Sequence, residues 1–178
     1  NDPRWAAIDA AALSSKHLYN AALYRVRQAF FHGEKRPAYA RLAHEMKATP
    51  EFRALPAKVA QWVLKQVDHD WQAFWAARQA YARNPAQFTT PPKLPHYKRE
   101  NGRNLLTYTL QAISRVALRQ NVIQPSGLPI AIRTRQINIQ QVRIVPRKTH
   151  YVVEVVYERE IETNPNLNPD WYAGVDVG

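Results

Sequence analysis

The sequence predicts an α+β protein in which a helical first half is followed by a small antiparallel β-barrel. Three observations carry this expectation. Apolar residues recur at three- and four-residue steps as far as residue 82, and at two-residue steps from Leu105 onward. Between the two regimes lies "NPAQFTTPPKLPHYKRENGRN", residues 84–104, whose four prolines suit a loop or extended linker and not a helix. The apolar runs beyond it are short, closely spaced and separated by turn residues, which is the pattern of a small barrel.

Taken in order, a first helix is expected over 5–32. Ile8, Ala12, Ser15, Tyr19, Leu23, Val26 and Phe30 form its stripe, Asp2-Pro3 offers a start and Gly33 a stop. A shorter helix is expected near 37–47, where Tyr39, Leu42, Ala43 and Met46 share a face. Pro50 and Pro56 bracket a break. A long helix then runs from Pro56 to Ala82, striped by Ala60, Val63, Val67, Trp71, Phe74 and Tyr81. Pro56 is tolerated in its first turn, where a missing N–H breaks no hydrogen bond. Asn84-Pro85 stops it.

In the second half, "LLTYTLQ" (105–111), "NVIQ" (121–124) and "PIAIRTR" (129–135) read as strands, with "PSG" (125–127) as a turn. "QVRIVP" (141–146) and "YVVEVVYERE" (151–160) make the clearest hairpin, with Tyr151, Val153, Val155 and Tyr157 on one face. "ETNPNLNPD" (162–170) reads as a second linker, and "YAGVDVG" (172–178) as the opening strand of a further unit. The expected organisation is therefore a helical lobe at 1–83, a basic proline-rich linker at 84–104, the barrel at 105–161, a linker at 162–171 and a further strand at 172–178. The chain opens on Asn1 without Met and stops one strand into that last unit, so it reads as an excerpt.

Composition narrows the function. The 178 residues are 46% hydrophobic, enough for a sizeable core, and no apolar run is long enough to span a bilayer. There is no Cys, hence no disulfide framework and no Cys-based zinc site, in keeping with a reducing compartment. Net charge is +11, and its distribution is uneven. Residues 71–153 hold 13 Lys and Arg against the single acid Glu100, whereas residues 154–178 hold six acids against Arg159. Such a stretch is the electrostatic footprint of a polyanion partner; the plainer alternative is a basic surface that aids solubility.

The candidate nucleic-acid-binding residues are Lys93, Tyr97, Lys98, Arg99, Arg103, Arg115, Arg119, Arg133, Arg135, Arg143, Arg147 and Lys148. Guanidinium and ammonium groups pair with phosphates, and interleaved rings such as Tyr97, Tyr108 and Tyr151 can stack unpaired bases. Arg133 and Arg135 on a strand would point the same way, about 7 Å apart, near the spacing of successive phosphates. On the helices, Arg25, Arg27, Lys58 and Lys65 read as solvated, and Trp62 and Trp71 as core. Trp75 lies off the stripe and suits either role. His69, between Asp68 and Asp70, is not read as a metal site, because successive helical residues do not share a face. Serine-hydrolase, P-loop and CxxC patterns are all missing.

In "AGVDVG", Asp176 interrupts an apolar strand beside two glycines that leave room for a close approach. It suits the first carboxylate of an RNase H-like nuclease, where such groups hold two metals, or the Asp-x-Gly phosphate loop of an actin-like ATPase or sugar kinase. It also suits an Asp satisfied by local backbone.

Five segments in order, "LYNAAL" (18–23), "LPAKVAQWVLKQVDHDWQAFW" (55–75), "PPKLPHYK" (91–98), "VRIVPRKTHYVVEVVYE" (142–158) and "AGVDVG" (173–178), resemble the N-terminal half of the TnpB-type proteins. These are the OrfB-like transposases of bacterial insertion sequences, relatives of the type V CRISPR effectors. The resemblance covers nearly the whole chain. It implies a helical recognition lobe inserted in a wedge-like barrel, then the first strand of a RuvC (RNase H-like) nuclease domain. It implies a guide RNA and target DNA as partners, no membrane, a bacterial cytoplasm, and RNA-guided cleavage with Mg²⁺. Asp176 matches the first catalytic and metal-binding carboxylate. The family's later Glu and Asp and its zinc-ribbon cysteines do not occur in these residues, nor does its usual first barrel strand, so this chain alone is expected to bind and not to cut. Two alternatives remain beside it: a catalytically inactive relative that binds RNA and DNA to recruit or regulate, and the Asp-x-Gly ATP-binding domain.

Overall fold

The computed structural model describes residues 3–160. Helix α1 (Pro3–Phe31) and helix α4 (Ala57–Arg83) lie close to the expected spans and pack against each other. Between them, Tyr19, Leu23 and Val26 of α1 and Val63, Val67 and Trp71 of α4 are buried in one cluster. The stop of α1 is chemical. Gly33 has φ +68°, and its N–H and that of Glu34 donate to the carbonyls of Phe30 and Ala29 (3.2 and 2.8 Å), closing the last turn. Helix α2 (Tyr39–Met46) buries Leu42 and Met46. A four-residue helix, α3 (Pro50–Arg53), follows where only a break was expected. Thr49 Oγ1 accepts from Phe52 N at 3.3 Å, Pro50 takes the first helical position, and Phe52 is buried.

Residues 84–104 contain one 3₁₀ turn, Pro85–Gln87, and no strand. The stretch then runs back along α1 in the opposite sense. Arg27 Nη1 donates to Pro95 O, Asn20 pairs with both the N–H and the C=O of Lys98, Lys16 Nζ donates to Glu100 O, and Asn104 N donates to Ala12 O. We refer to residues 95–104 as the strap. Its end is fixed by a buried polar knot. The Asn104 amide donates to Ser15 Oγ and Gln66 Oε1 (both 3.1 Å), and Ser15 Oγ donates to Leu105 O at 3.0 Å. This explains why a serine sits fully buried in the stripe of α1.

The strands form a three-stranded antiparallel sheet in the order β1 (Leu106–Thr109), β4 (Ile139–Pro146), β5 (Tyr151–Tyr157). The expected hairpin is β4–β5, with Val142 opposite Val155, Ile144 opposite Val153 and Pro146 opposite Tyr151. An irregularity between Ile139 and Gln141 inserts one residue, which brings Ile139 into the buried set with Val142 and Ile144 despite the odd spacing. Leu106 and Tyr108 face Ile144 and Val142 across β1–β4 and are likewise buried.

The sheet does not close. Among the described residues there is a second pair, β2 (Val122–Ile123) with β3 (Ile132–Arg133), bonded only to each other, so the expected barrel is corrected to two small antiparallel sheets. The cause lies in residues 110–135. Leu110–Ala112 tightens into a 3₁₀ turn, and Ser114 Oγ accepts from Ala117 N (3.3 Å) to start a helical turn, α5 (Arg115–Arg119). Pro125 and Pro129 have no N–H to offer a ladder. The expected seven-residue strand at 129–135 therefore shrinks to two residues. Helices and sheet nevertheless share one core, in which Leu106, Ile123, Leu128, Ile130 and Ile144 join the helical cluster. Among the described residues no helix is long and apolar enough to cross a membrane. The expected RuvC strand, with Asp176, lies outside the described residues.

Candidate nucleic-acid interface

The structure sorts the twelve candidate residues by what they already touch. Arg103, in the strap, is committed internally. Its guanidinium donates twice to the Asp9 carboxylate of α1 (2.9 and 2.7 Å), and Tyr151 Oη of β5 donates to the same carboxylate at 2.7 Å. The Arg103 guanidinium holds the Asp9 carboxyl below the usual range, against the opposing effect of burial, with Tyr151 assisting. The Tyr151 phenol is pushed up, first by burial and then by the adjacent carboxylate. Arg143 is also committed. It faces Glu154 directly across β4–β5 and pairs with it at 2.8 Å, while its buried Nε has no acceptor. Lys98 is half-buried, with Nζ 4.6 Å above the Tyr19 ring. The Tyr19 hydroxyl donates to Asp70 at 2.6 Å, and burial, followed by that carboxylate, raises its pKa.

The remaining basic candidates are exposed: Lys93 and Arg99 before and within the strap, Arg115 and Arg119 on α5, Arg133 and Arg135 at β3, and Arg147 and Lys148 in the β4–β5 turn. Among the described residues none of these eight meets a carboxylate within ion-pair distance. Arg115 and Arg119 stand one helical turn apart, on one face of α5. Arg133 and Arg135 are exposed while Ile132 and Thr134 turn inward, so the alternation expected of a strand persists two residues past the end of β3. Both arginines line one open cleft of about 600 Å³ together with Gln120, Asn121, Val122 and Thr134. Two features hold its wall. Asn121 takes a left-handed conformation, φ 59°, which lets the chain turn out of α5 into β2, and its carbonyl accepts from Thr134 N at 2.9 Å. The cleft thus offers two guanidinium groups and amide side chains to an anion, with no acid among the described residues of its lining.

The residues of the would-be histidine cluster separate. Asp68 takes an ion pair from Arg36 and a hydrogen bond from Gln72, Asp70 accepts from Tyr19, and His69 is exposed. Among the described residues no group of three or more His, Cys, Asp or Glu side chains gathers where it could hold a metal. Asp68, His69 and Asp70 therefore do not form a Mg²⁺ site. Trp71 is fully buried, as expected, whereas Trp75 is 38% exposed. Lys65, read as solvated, lies 4.8 Å over Trp62 and 5.7 Å from Tyr39. Sequence reasoning missed a set of rings and guanidiniums at the far end of α1, Arg27, Phe31 and Arg78 among them. Tyr97 and Trp75 were visible in the sequence as candidate rings, but their meeting with these residues left no trace beyond the i, i+4 pair Arg27 and Phe31, off the apolar stripe.

A scan of the chain against protein-family models finds no match, and a search of curated proteins finds none either.

Proposed function

We propose that the chain is the nucleic-acid-binding N-terminal part of a transposon-encoded RNA-guided DNA endonuclease of TnpB type. The observation that carries the reading is the acid-free cleft at β2–β3, lined by the exposed Arg133 and Arg135 inside a stretch with 13 cations and one acid. Contacts of this kind grip a phosphate backbone without reading its sequence. In this reading the α5–β2–β3 segment holds guide RNA, the helices face the guide–target duplex by shape, and Asp176 is one carboxylate of a Mg²⁺ site completed by other residues. The ordered resemblance of the five segments supports the family reading; the charge and the cleft support the binding.

The test is a salt titration of binding to a structured RNA and to a duplex DNA of matched length. For every phosphate that a variant no longer neutralises, the slope of log K against log salt falls in magnitude by about 0.7–0.9. Arg133→Ala/Arg135→Ala should lower the slope by up to twice that and weaken RNA binding regardless of sequence. Failure to bind either nucleic acid near physiological salt rejects the proposal and favours the Asp-x-Gly nucleotide-binding alternative.

A further inference from the structure

Where the C-terminal end of α1 meets the second half of α4, aromatic rings and two guanidiniums line up in one continuous row. The Arg27 guanidinium lies 4.9 Å from the centre of Tyr97, a strap residue, and 5.5 Å from that of Phe31. Phe31 meets Phe30 edge-on at 5.6 Å, Phe30 meets Trp75 edge-on at 6.0 Å, and Arg78 lies 5.4 Å over Trp75. Three of these rings reach solvent: Phe31 is 59% exposed, Tyr97 41% and Trp75 38%. The row is fixed from beneath by the buried Trp71, 5.5 Å from Phe30, and from the side by the bond of Arg27 to Pro95 O.

Water-exposed rings of this size are costly, and a contiguous group of them marks a contact surface. The chemistry selects the partner. An apolar protein surface would have to bury Arg27 and Arg78, for which this row provides no carboxylate. A nucleobase satisfies both kinds of group, because its flat face stacks on a ring and its phosphate neighbours a guanidinium. A base paired within a duplex hides that face, so the row selects unpaired nucleotides. We propose that Tyr97, Phe31 and Trp75, with Arg27 and Arg78 between and beside them, form a stacking platform for unpaired bases of a single strand. The inference rests on the nucleic-acid reading above and adds to it a second contact region. This region stands apart from the other end of the helix, since Trp5 and Phe31 are separated by about 39 Å along α1 at about 1.5 Å per residue.

The test compares two probes of equal length and charge on the chain of residues 1–178: an oligothymidylate and a strand of abasic deoxyribose phosphates. The platform predicts that the base-bearing strand binds roughly tenfold or more tighter, as one good stack would give. It also predicts that Phe31→Ala/Tyr97→Ala cuts the preference to no more than the share of Trp75 while leaving affinity for the abasic strand unchanged. Arg133→Ala/Arg135→Ala should weaken both probes together and keep the preference. Equal wild-type affinity for the two probes overturns the platform and leaves phosphate binding standing, a result that needs no variant to be folded. No binding of either probe, or of structured RNA, overturns both readings. A preference undiminished in Phe31→Ala/Tyr97→Ala puts the stacking elsewhere and overturns this assignment. Self-association that the same variant abolishes, with no preference for bases, identifies the occupant as a second copy of the chain and also overturns it.

Discussion

The helical body and the α5–β2–β3 segment dispose of their arginines in opposite ways. In the body and on the main sheet, Arg25 and Arg41 share Glu45, Arg36 meets Asp68, Arg103 meets Asp9, and Arg143 meets Glu154. Glu45 is held below the usual carboxylate range, first by Arg41 and then by Arg25. In the smaller segment, Arg115, Arg119, Arg133 and Arg135 are exposed and meet no carboxylate among the described residues. The difference has a source in composition, because residues 110–135 hold four Arg and no Asp or Glu. The comparison separates arginines that hold the molecule together from arginines left for something else. A count of basic residues alone does not make that distinction.

The contrast can be broken or sharpened by substitution. The largest effect is expected in the body. Trp71→Ala removes a fully buried indole that touches Phe30 and Phe74, and should cost about 3–5 kcal/mol in urea unfolding. The joint between the two regions comes next. Gly127 has φ +76°, and a Cβ there would sit 2.8 Å from the ring of Pro56, the residue that opens α4. Gly127→Ala should cost about 1–3 kcal/mol from the left-handed backbone and the clash combined. The matched Gly33→Ala has the same backbone demand (φ +68°) in open space, and should lie at the low end of that range. If the two cost the same, the segment is not pressed against the body as described.

A smaller effect is expected from Arg103→Gln, about 1 kcal/mol at neutral pH, and it should vary with pH in a stated sense. The folded state depresses the Asp9 pKa, so the pair contributes fully above the ordinary value of about 3.9 and loses its contribution as pH falls through the depressed value. The stability gap between wild type and variant should therefore close in acid. A gap that stays constant to low pH would mean that packing, not charge, is what Arg103 supplies. The smallest effect belongs to the other side of the comparison. Arg133→Ala/Arg135→Ala should change stability by no more than about 0.5 kcal/mol while it weakens binding. A large loss of stability would make those arginines structural.

The parts that could be read from sequence are those governed by local periodicity. The long helices came within two residues of their ends because their stripes repeat over many turns, and the β4–β5 hairpin because Tyr151, Val153, Val155 and Tyr157 recur at two-residue steps. The barrel was not realised, because two-residue runs such as Val122–Ile123 carry no information about which strand they pair with, and Pro129 and the Ser114 cap divert the chain. Helix α3 carried its signal in Thr49-Pro50, where proline marks a helix start as readily as a break. Among the candidate site residues, type and exposure were legible for Arg133 and Arg135. The pairing of Arg103 with Asp9, 94 positions away, was not. In the ring row Tyr97 and Trp75 were legible as candidates, but their meeting with Arg27 and Phe31 was not, since the row draws on three separate segments.

The strap carries one more implication, for inheritance. Lys16, Asn20 and Arg27 of α1 all address its carbonyls, and the amides of Lys98 and Asn104 answer α1 in return. Main-chain groups are common to every residue type, so between Pro95 and Glu100 these bonds place few demands on which side chains are present. Substitutions there can redirect the outward-facing groups toward a new ligand while the path of the chain stays put. A lineage could retune what this edge recognises by drift at the exposed His96 and Arg99, and the helix beneath would register only changes at Tyr97 and Lys98, which pack on Arg27 and Tyr19.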